Sequence, residues 1–386
     1  MSQAYTLFYM DLSYYSGKIQ SYLRYKGIPT QEKHVNWWMM ANHILPNTGM
    51  MEVPVLQSPD GEWLRDSTSL IFHLEKEYPE GNVIPEDPYH AFFNYLLEDY
   101  ADEWLWRPAM HYRWSYAKDR RLYERRFTED FMLHPMGTKV LTRLFLGWRQ
   151  KREYVRKDGI SRDTREHVES TYLDTLDRME AILQKRDFLF GDKPSIADFG
   201  FMASMYRHFS LDPTPARIMR ERAPGVYAWV ARMWNAQHKD YSYQSWASSA
   251  GKLPEDWEPL LDHIGNTYLP YLAANADALL AGQERFDVTI EGVIYKDLAT
   301  NRYRVWCLEK LITFYKNLPD KSRQDIQATL VKHGCREHLW PYRDLQSKLH
   351  DGDILPHCTA LPAPLWKRLI YYVTGTPRHD YRGLEN

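Results

Sequence analysis

Apolar and polar positions change period several times along this chain, and each change marks a different kind of element. Tyr5-Thr6-Leu7-Phe8-Tyr9-Met10 alternates and is rich in β-formers, which predicts a first strand. A short turn over 11–16 leads into a helix with apolar marks at Ile19, Tyr22 and Leu23. That helix stops at Lys26-Gly27, a cation in the last turn followed by a glycine. Val53-Pro54-Val55-Leu56 reads as a strand that begins at a proline, because proline has no N–H to give a central ladder. A bond of this kind can be cis, with the backbone of Val53 left for a ligand. Asp60-Gly61 supplies a hairpin turn into Trp63-Leu64, and Asp66-Ser67 opens a helix marked by Leu70, Ile71 and Leu74.

A proline-bearing linker over 80–88 follows, and from Tyr89 the period is helical almost throughout. Phe92, Tyr95, Leu96, Tyr100 and Trp104 fall mostly on one stripe. Residues 115–165 are crowded with charge and predict long solvated helices or a partly extended insertion, after which Tyr172, Leu176, Met179 and Leu183 mark another amphipathic helix. Ser195-x-x-Asp198 before an apolar run is a capping-box variant. Beyond 250 the pattern predicts a strand over 287–290, a second apolar stretch over 293–295, and helices near 303–317 and 322–333. The fold class is α+β, in three parts: a small mixed-sheet domain over 1–82, a helical domain over 89–250, and an α-rich C-terminal extension over 251–386 without a motif that translates into chemistry.

Composition narrows the function classes. The 386 residues are 44% hydrophobic and 26% charged, values of a globular chain of two or three domains. Fourteen Trp and twenty-eight Tyr imply a large aromatic interior, a pocket for an aromatic or lipophilic ligand, or both. A net charge of −2 argues against a general nucleic-acid binder. There is no N-terminal apolar run and no 18-residue apolar stretch, so neither a signal peptide nor a membrane span is expected. Cys307, Cys335 and Cys358 form no close pair and suit a reducing cytoplasm. Because none precedes residue 307, thiol–disulfide exchange in the first domain is excluded, having no protein thiolate to carry it. Cys335-x-x-His338 with His357-Cys358 resembles a zinc set only superficially, since the second pair is adjacent rather than spaced, and no metal is expected.

First strand, proline-initiated strand, hairpin and Asp-Ser helix, in that order, resemble the glutathione-binding half of the cytosolic glutathione S-transferases, and the resemblance runs over roughly residues 4–245. It implies a thioredoxin-like βαβ-ββα domain, glutathione as co-substrate, a helical second domain and a homodimer that pairs the first domain of one subunit with the helical domain of the other. Ser13 falls on the family's serine/cysteine position for sulfur activation and Tyr9 on its tyrosine position. Ser13 also immediately precedes a helix, so a hydroxyl and a helix N-terminus would both favour a thiolate there. Tyr14 and Ser16 offer further hydroxyls. By the same resemblance Val53 and Pro54 line the glutathione site, Ser67 holds the γ-glutamyl carboxylate and Asp66 faces its α-amino group. The Gly-Asp-x-x-Ser-x-x-Asp signature over 191–198 has a folding role in the family.

Met50-Met51-Glu52 departs from the family, which often carries Gln, Lys or His before the Val-Pro to meet the glycine carboxylate of glutathione. Glu52 has the wrong charge, so a cation from elsewhere is needed, with Lys33, His34 and His43 as candidates. The hydrophobic co-substrate is expected against Trp104, Trp106, His111, Tyr112 and Trp114. The function implied is attack of a glutathione thiolate on an aromatic or lipophilic electrophile. The rival is a non-catalytic scaffold or binding module of the same fold, with the extension as its partner surface.

Overall fold

The computed structural model describes residues 4–130, 139–241, 245, 246, 252–342, 345 and 347. Strand β1 (Tyr5–Tyr9), helix α1 (Tyr14–Lys26) and strand β2 (Thr30–His34) form a parallel βαβ unit. A broken helical stretch follows, α2 (Trp37–Met39), a π-helical turn (Met40–Ile44) and α3 (Leu45–Thr48). Strands β3 (Val55–Gln57) and β4 (Trp63–Arg65) then lead into α4 (Ser67–Glu77). The sheet order is β2-β1-β3-β4, with β3 antiparallel to both neighbours. Leu7, Leu56 and Leu64 lie in register across it, so one row of buried leucines ties three strands. Alternation along β1 divides the core: Tyr5 and Leu7 face the main core, while Phe8 and Met10 join a smaller cluster with Val35, Ile44 and Val55. Gly27 ends α1 at φ 67°, a left-handed conformation in which its N–H reaches the carbonyls of Arg24 and Leu23.

The rest is helical: α5 (Pro88–Glu103), α6 (Trp106–Ser115), α7 (Ala117–Asp130), α8 (Lys139–Lys151), α9 (Arg165–Leu183), α10 (Ile196–Ser204), α11 (Pro213–Arg222) and α12 (Pro224–Asn235). The capping box predicted at Ser195 is formed. Asp198 accepts from the N–H and hydroxyl of Ser195 and also from the Leu189 N–H and the Trp229 indole, so one buried carboxylate ties the loop before α10 to α12. Helix α10 crosses α5 at Gly200, where a Cβ would stand 2.7 Å from the Glu98 Cα. The charge-rich stretch over 115–165 is not a solvated insertion. Its helices α7 and α8 bury Asp119, Tyr123, Thr128, Leu146 and Gln150, because the charge pattern disguises an inner face directed at the first domain.

The extension adds α13 (Glu258–His263), α14 (Leu269–Leu280), the antiparallel hairpin β5 (Arg285–Ile290) and β6 (Val293–Ala299), α15 (Arg302–Lys316) and α16 (Asp320–Lys332). Both α15 and α16 pack on α5. Helix α5 is therefore buried on every side, although its sequence suggests one apolar stripe: Glu98, Asp99, Asp102 and Glu103 are buried with the aromatic residues. Each needs a partner. Lys18 meets Glu98 and Asp102, Tyr268 donates to Asp99 at 2.7 Å, and Arg304 meets Glu103 at 3.0 Å.

Burial pushes the Asp99 carboxyl from 3.8 up to about 8, with the neighbouring Glu98 and Glu103 charges acting the same way against the Tyr268 hydrogen bond. A carboxyl whose folded pKa lies above its unfolded one binds more protons in the folded state between those values. Its contribution to stability is then complete below about pH 4 and is lost as the pH rises towards 8. Asp99→Asn should accordingly flatten the dependence of unfolding free energy on pH between 4 and 8, measured by urea titration at several pH values. An unaltered slope would show that Asp99 titrates normally.

Candidate functional site

Ser13 caps α1 from extended backbone, its Oγ accepting the Ser16 N–H at 3.2 Å. The same hydroxyl donates to the Val53 carbonyl at 3.3 Å, and the Val53-Pro54 peptide is cis. Among the described residues the Val53 N–H donates to no protein group. The start of α1 and the segment before β3 are thus brought face to face across one hydroxyl. Asp66 caps α4: its Oδ1 accepts the Ser69 N–H at 2.9 Å while its backbone holds φ 72°, ψ 108°, a conformation costly for a residue with a Cβ. Ser67 follows it, buried at the first position of the helix.

Two adjoining cavities share this floor. A cavity of about 250 Å³ is lined by Ser13, Tyr15, Glu52 and Val53 on the first domain and by aromatic residues of α6 and α7 opposite. A smaller one, about 60 Å³, runs along Val53, Pro54, Arg65, Asp66 and Ser67 and is closed by Glu103 and Tyr303. Tyr303 was not foreseen in the sequence. It belongs to α15, and its hydroxyl donates to Asp66 Oδ2 at 2.6 Å. Arg304 anchors it there, bonding Glu103, Tyr271 at 2.7 Å and Asp158 at 3.3 Å.

Residues 7–82 match the model of the glutathione S-transferase N-terminal domain, and residues 144–236 match that of the C-terminal domain. Over those two stretches the chain carries both domains of the glutathione S-transferase superfamily. Among solved structures it is similar to a glutathione S-transferase from Methylobacterium radiotolerans in complex with glutathione sulfonate, at 19% identity over 60% of this chain and 90% of that chain with a TM-score of 0.37. It is also similar to the beta-etherase LigF from Sphingobium sp. strain SYK-6, at 19% identity over 60% and 94% with a TM-score of 0.44. A third is FzlA from C. crescentus, at 19% identity over 60% and 87% with a TM-score of 0.39. No curated protein matches the chain.

Within this glutathione S-transferase fold the expected site residues divide. Ser13, Tyr14, Val53, Pro54, Asp66 and Ser67 all line one or both cavities. The Tyr14 hydroxyl, however, is buried and donates to the Ala101 carbonyl at 2.6 Å, so it serves the junction with α5. Ser16 accepts the Met10 N–H at 3.4 Å. Tyr9 lines neither cavity. Strand alternation turns it away from the Phe8 and Met10 face, and its ring packs edge-on against His34 at 5.4 Å. Burial moves its phenol upward, opposite to what an activating tyrosine requires.

Of the expected aromatic wall, Trp106 and Trp114 line the larger cavity, and Trp106 stacks on Tyr15 at 5.9 Å. Trp104, His111 and Tyr112 do not. Trp104 packs under the Arg107 guanidinium, His111 bonds Glu169 at 2.8 Å and Tyr112 stacks on Tyr116, all inside the helical core. Tyr123 and Phe127 of α7 take their place. Nor do Lys33, His34 and His43 reach either cavity: Lys33 lies over the Phe8 ring and His43 against Trp38. Among the described residues, the arginines that line the cavities are Arg65, Arg113 and Arg149. Arg113 is held by Asp212, but the Arg149 Nε is buried and meets no acceptor among the described residues. Cys335 is buried against the Leu261 carbonyl, while His357 and Cys358 lie outside the described residues.

Tyr303→Phe removes one of the two donors that hold the Asp66 carboxylate and should cost about 1 kcal/mol of stability. Urea unfolding followed by tryptophan fluorescence reads the loss. A midpoint equal to wild type would show that this tie contributes nothing.

Proposed function

We propose that the chain is a glutathione transferase of serine geometry, in which Ser13 stabilises the thiolate of bound glutathione for attack on a flat aromatic or lipophilic electrophile. One observation carries this reading: the Ser13 hydroxyl stands at the N-terminus of α1, opposite the cis Val53-Pro54 bond, on the floor of an aromatic cavity. At 3.3 Å its bond to the Val53 carbonyl is weak, and a thiolate is the stronger acceptor. The thiol proton passes to solvent and the sulfur lone pair forms the C–S bond. In aromatic substitution and ether cleavage a leaving group then departs with its bonding electrons, whereas in thiol addition nothing leaves and the anion formed takes a proton from solvent.

The γ-glutamyl end is assigned to Asp66 and Ser67. Asp66 Oδ2 already accepts from Tyr303, and a carboxylate oxygen has a second lone pair for the α-ammonium of glutathione. Arg65 or Arg149 replaces the missing family cation for the glycine carboxylate. Trp106, Trp114, Tyr123 and Phe127 form the co-substrate wall. A cytoplasmic homodimer belongs to the same proposal, and α15, packed on α4 and α5 of its own chain through Phe314 against Phe72 and Tyr95, limits where a second subunit docks.

A second reading, a non-catalytic scaffold of the same fold, draws on Glu52 at the cavity and on Tyr303 closing over Asp66. Calorimetric titration with glutathione separates the two at the first step: the transferase binds, and the absence of binding at millimolar glutathione would falsify it. If Ser13 is the activator, bound glutathione has a pKa below about 8.5. Ser13→Ala should raise that pKa by about one unit and slow conjugation at pH 7 about tenfold. Ser67→Ala should instead weaken glutathione binding about tenfold with the pKa little moved. Difference absorbance of the thiolate against pH reads both, and equal pKa values for wild type and Ser13→Ala would remove Ser13 from the mechanism.

A further inference from the structure

A third cavity, about 180 Å³, lies between α4, α5 and α15, on the other side of Tyr303 from Asp66. We propose that it binds a small organic ammonium ion, an amine or quaternary ammonium with a compact apolar body. Part of its wall is aromatic. Phe72, Tyr95 and Phe314 meet pairwise with centroids 5.2, 5.6 and 6.4 Å apart, and Trp306 completes the enclosure. Such faces favour a cation over a neutral body of the same shape.

The charge around it is unbalanced. Glu103 is matched by Arg304, and Asp99 is held by Tyr268. Glu98 and Asp102, by contrast, share the single ammonium of Lys18, all three side chains being buried. Two carboxyl groups thus face one cation, and burial pushes both of them above the usual carboxylate range. Asp102, 4% exposed, lines the cavity; Lys18 and Thr68 bond its Oδ2, and its Oδ1 meets no donor among the described residues. Lys310 stands at the same cavity with its ammonium 5.3 Å from the Trp306 ring, so the wall already attracts one cation without bringing it onto a carboxylate. A buried excess negative charge is relieved by a proton or by a cation. Burial alone favours the proton, and an ammonium ion in the cavity that Asp102 lines takes its place on the unpaired carboxyl oxygen.

Titration calorimetry of the full chain with benzylamine, and with benzyl alcohol as its neutral counterpart, tests the assignment. The site predicts saturable 1:1 binding of benzylamine, with benzyl alcohol weaker by about tenfold or more. Asp102→Asn should weaken benzylamine about tenfold. Trp306→Leu, which leaves the Lys18 pairs in place, should weaken both benzylamine and tetramethylammonium and keeps the test valid if Asp102→Asn fails to fold. Equal affinity for amine and alcohol, no saturable binding of either, or benzylamine binding unchanged in both variants would overturn the proposal. The readout is independent of whether the chain binds glutathione.

Discussion

Lys18 is the constraint on which the molecule depends. Its ammonium, wholly buried in the second turn of α1, bonds Glu98 and Asp102 of α5 and the Thr68 hydroxyl of α4 at 2.9 Å. Burial opposes its charge, and the two carboxylates overcome that opposition so far that its pKa is raised. One cation therefore fixes three helices. Two of these carry the candidate chemistry on their N-terminal caps, Ser13 on α1 and Asp66 on α4. The third, α5, carries the interface between the first domain and everything that follows. The separation of the Ser13 and Asp66 ends of the candidate site is thereby set by an ion cluster that lines neither of its two cavities. Losing one partner would strand a buried charge, which costs far more than a surface pair.

The extension builds on the same helix. It makes α5 central by covering the side that the α1 and α10 contacts leave open, and its Tyr303 and Arg304 reach back to Asp66 and Glu103. The Asp66 end of the candidate site is consequently walled by two regions that lie more than two hundred residues apart in sequence. Burying α5 entirely also buries four of its carboxyl groups, which Lys18 of α1, Tyr268 and Arg304 of α15 answer between them.

Much of this was legible beforehand. The strands at Tyr5 and Val55, the helix stop at Gly27, the Asp60-Gly61 turn, the Ser195 capping box and the helices α15 and α16 follow from local rules, and local rules read well from one sequence. The caps at Ser13 and Asp66 and the cis bond before Pro54 were legible as local structure, because caps and prolines announce themselves. Tyr9 was misplaced because motif spacing gives a position and not a sheet face; the alternation with Phe8 and Met10 held the needed signal. Trp104, His111 and Tyr112 failed for a related reason: on a helix buried all round, periodicity cannot tell core from pocket. Tyr123, Phe127 and Arg149 were hidden by the charge around them. Tyr303 had no local signal, since its role exists only through a tertiary contact.

The central claim is that the Ser13 and Asp66 caps together form one glutathione site. The most direct measurement is a crystal structure of the full chain grown with glutathione. The account predicts the sulfur within hydrogen-bond distance of the Ser13 Oγ, the γ-glutamyl carboxylate on Ser67, and the α-ammonium sharing Asp66 with the Tyr303 hydroxyl. Glutathione bound with its sulfur away from Ser13, or an Asp66–Tyr303 contact that closes over an empty subsite at saturating glutathione, would contradict it.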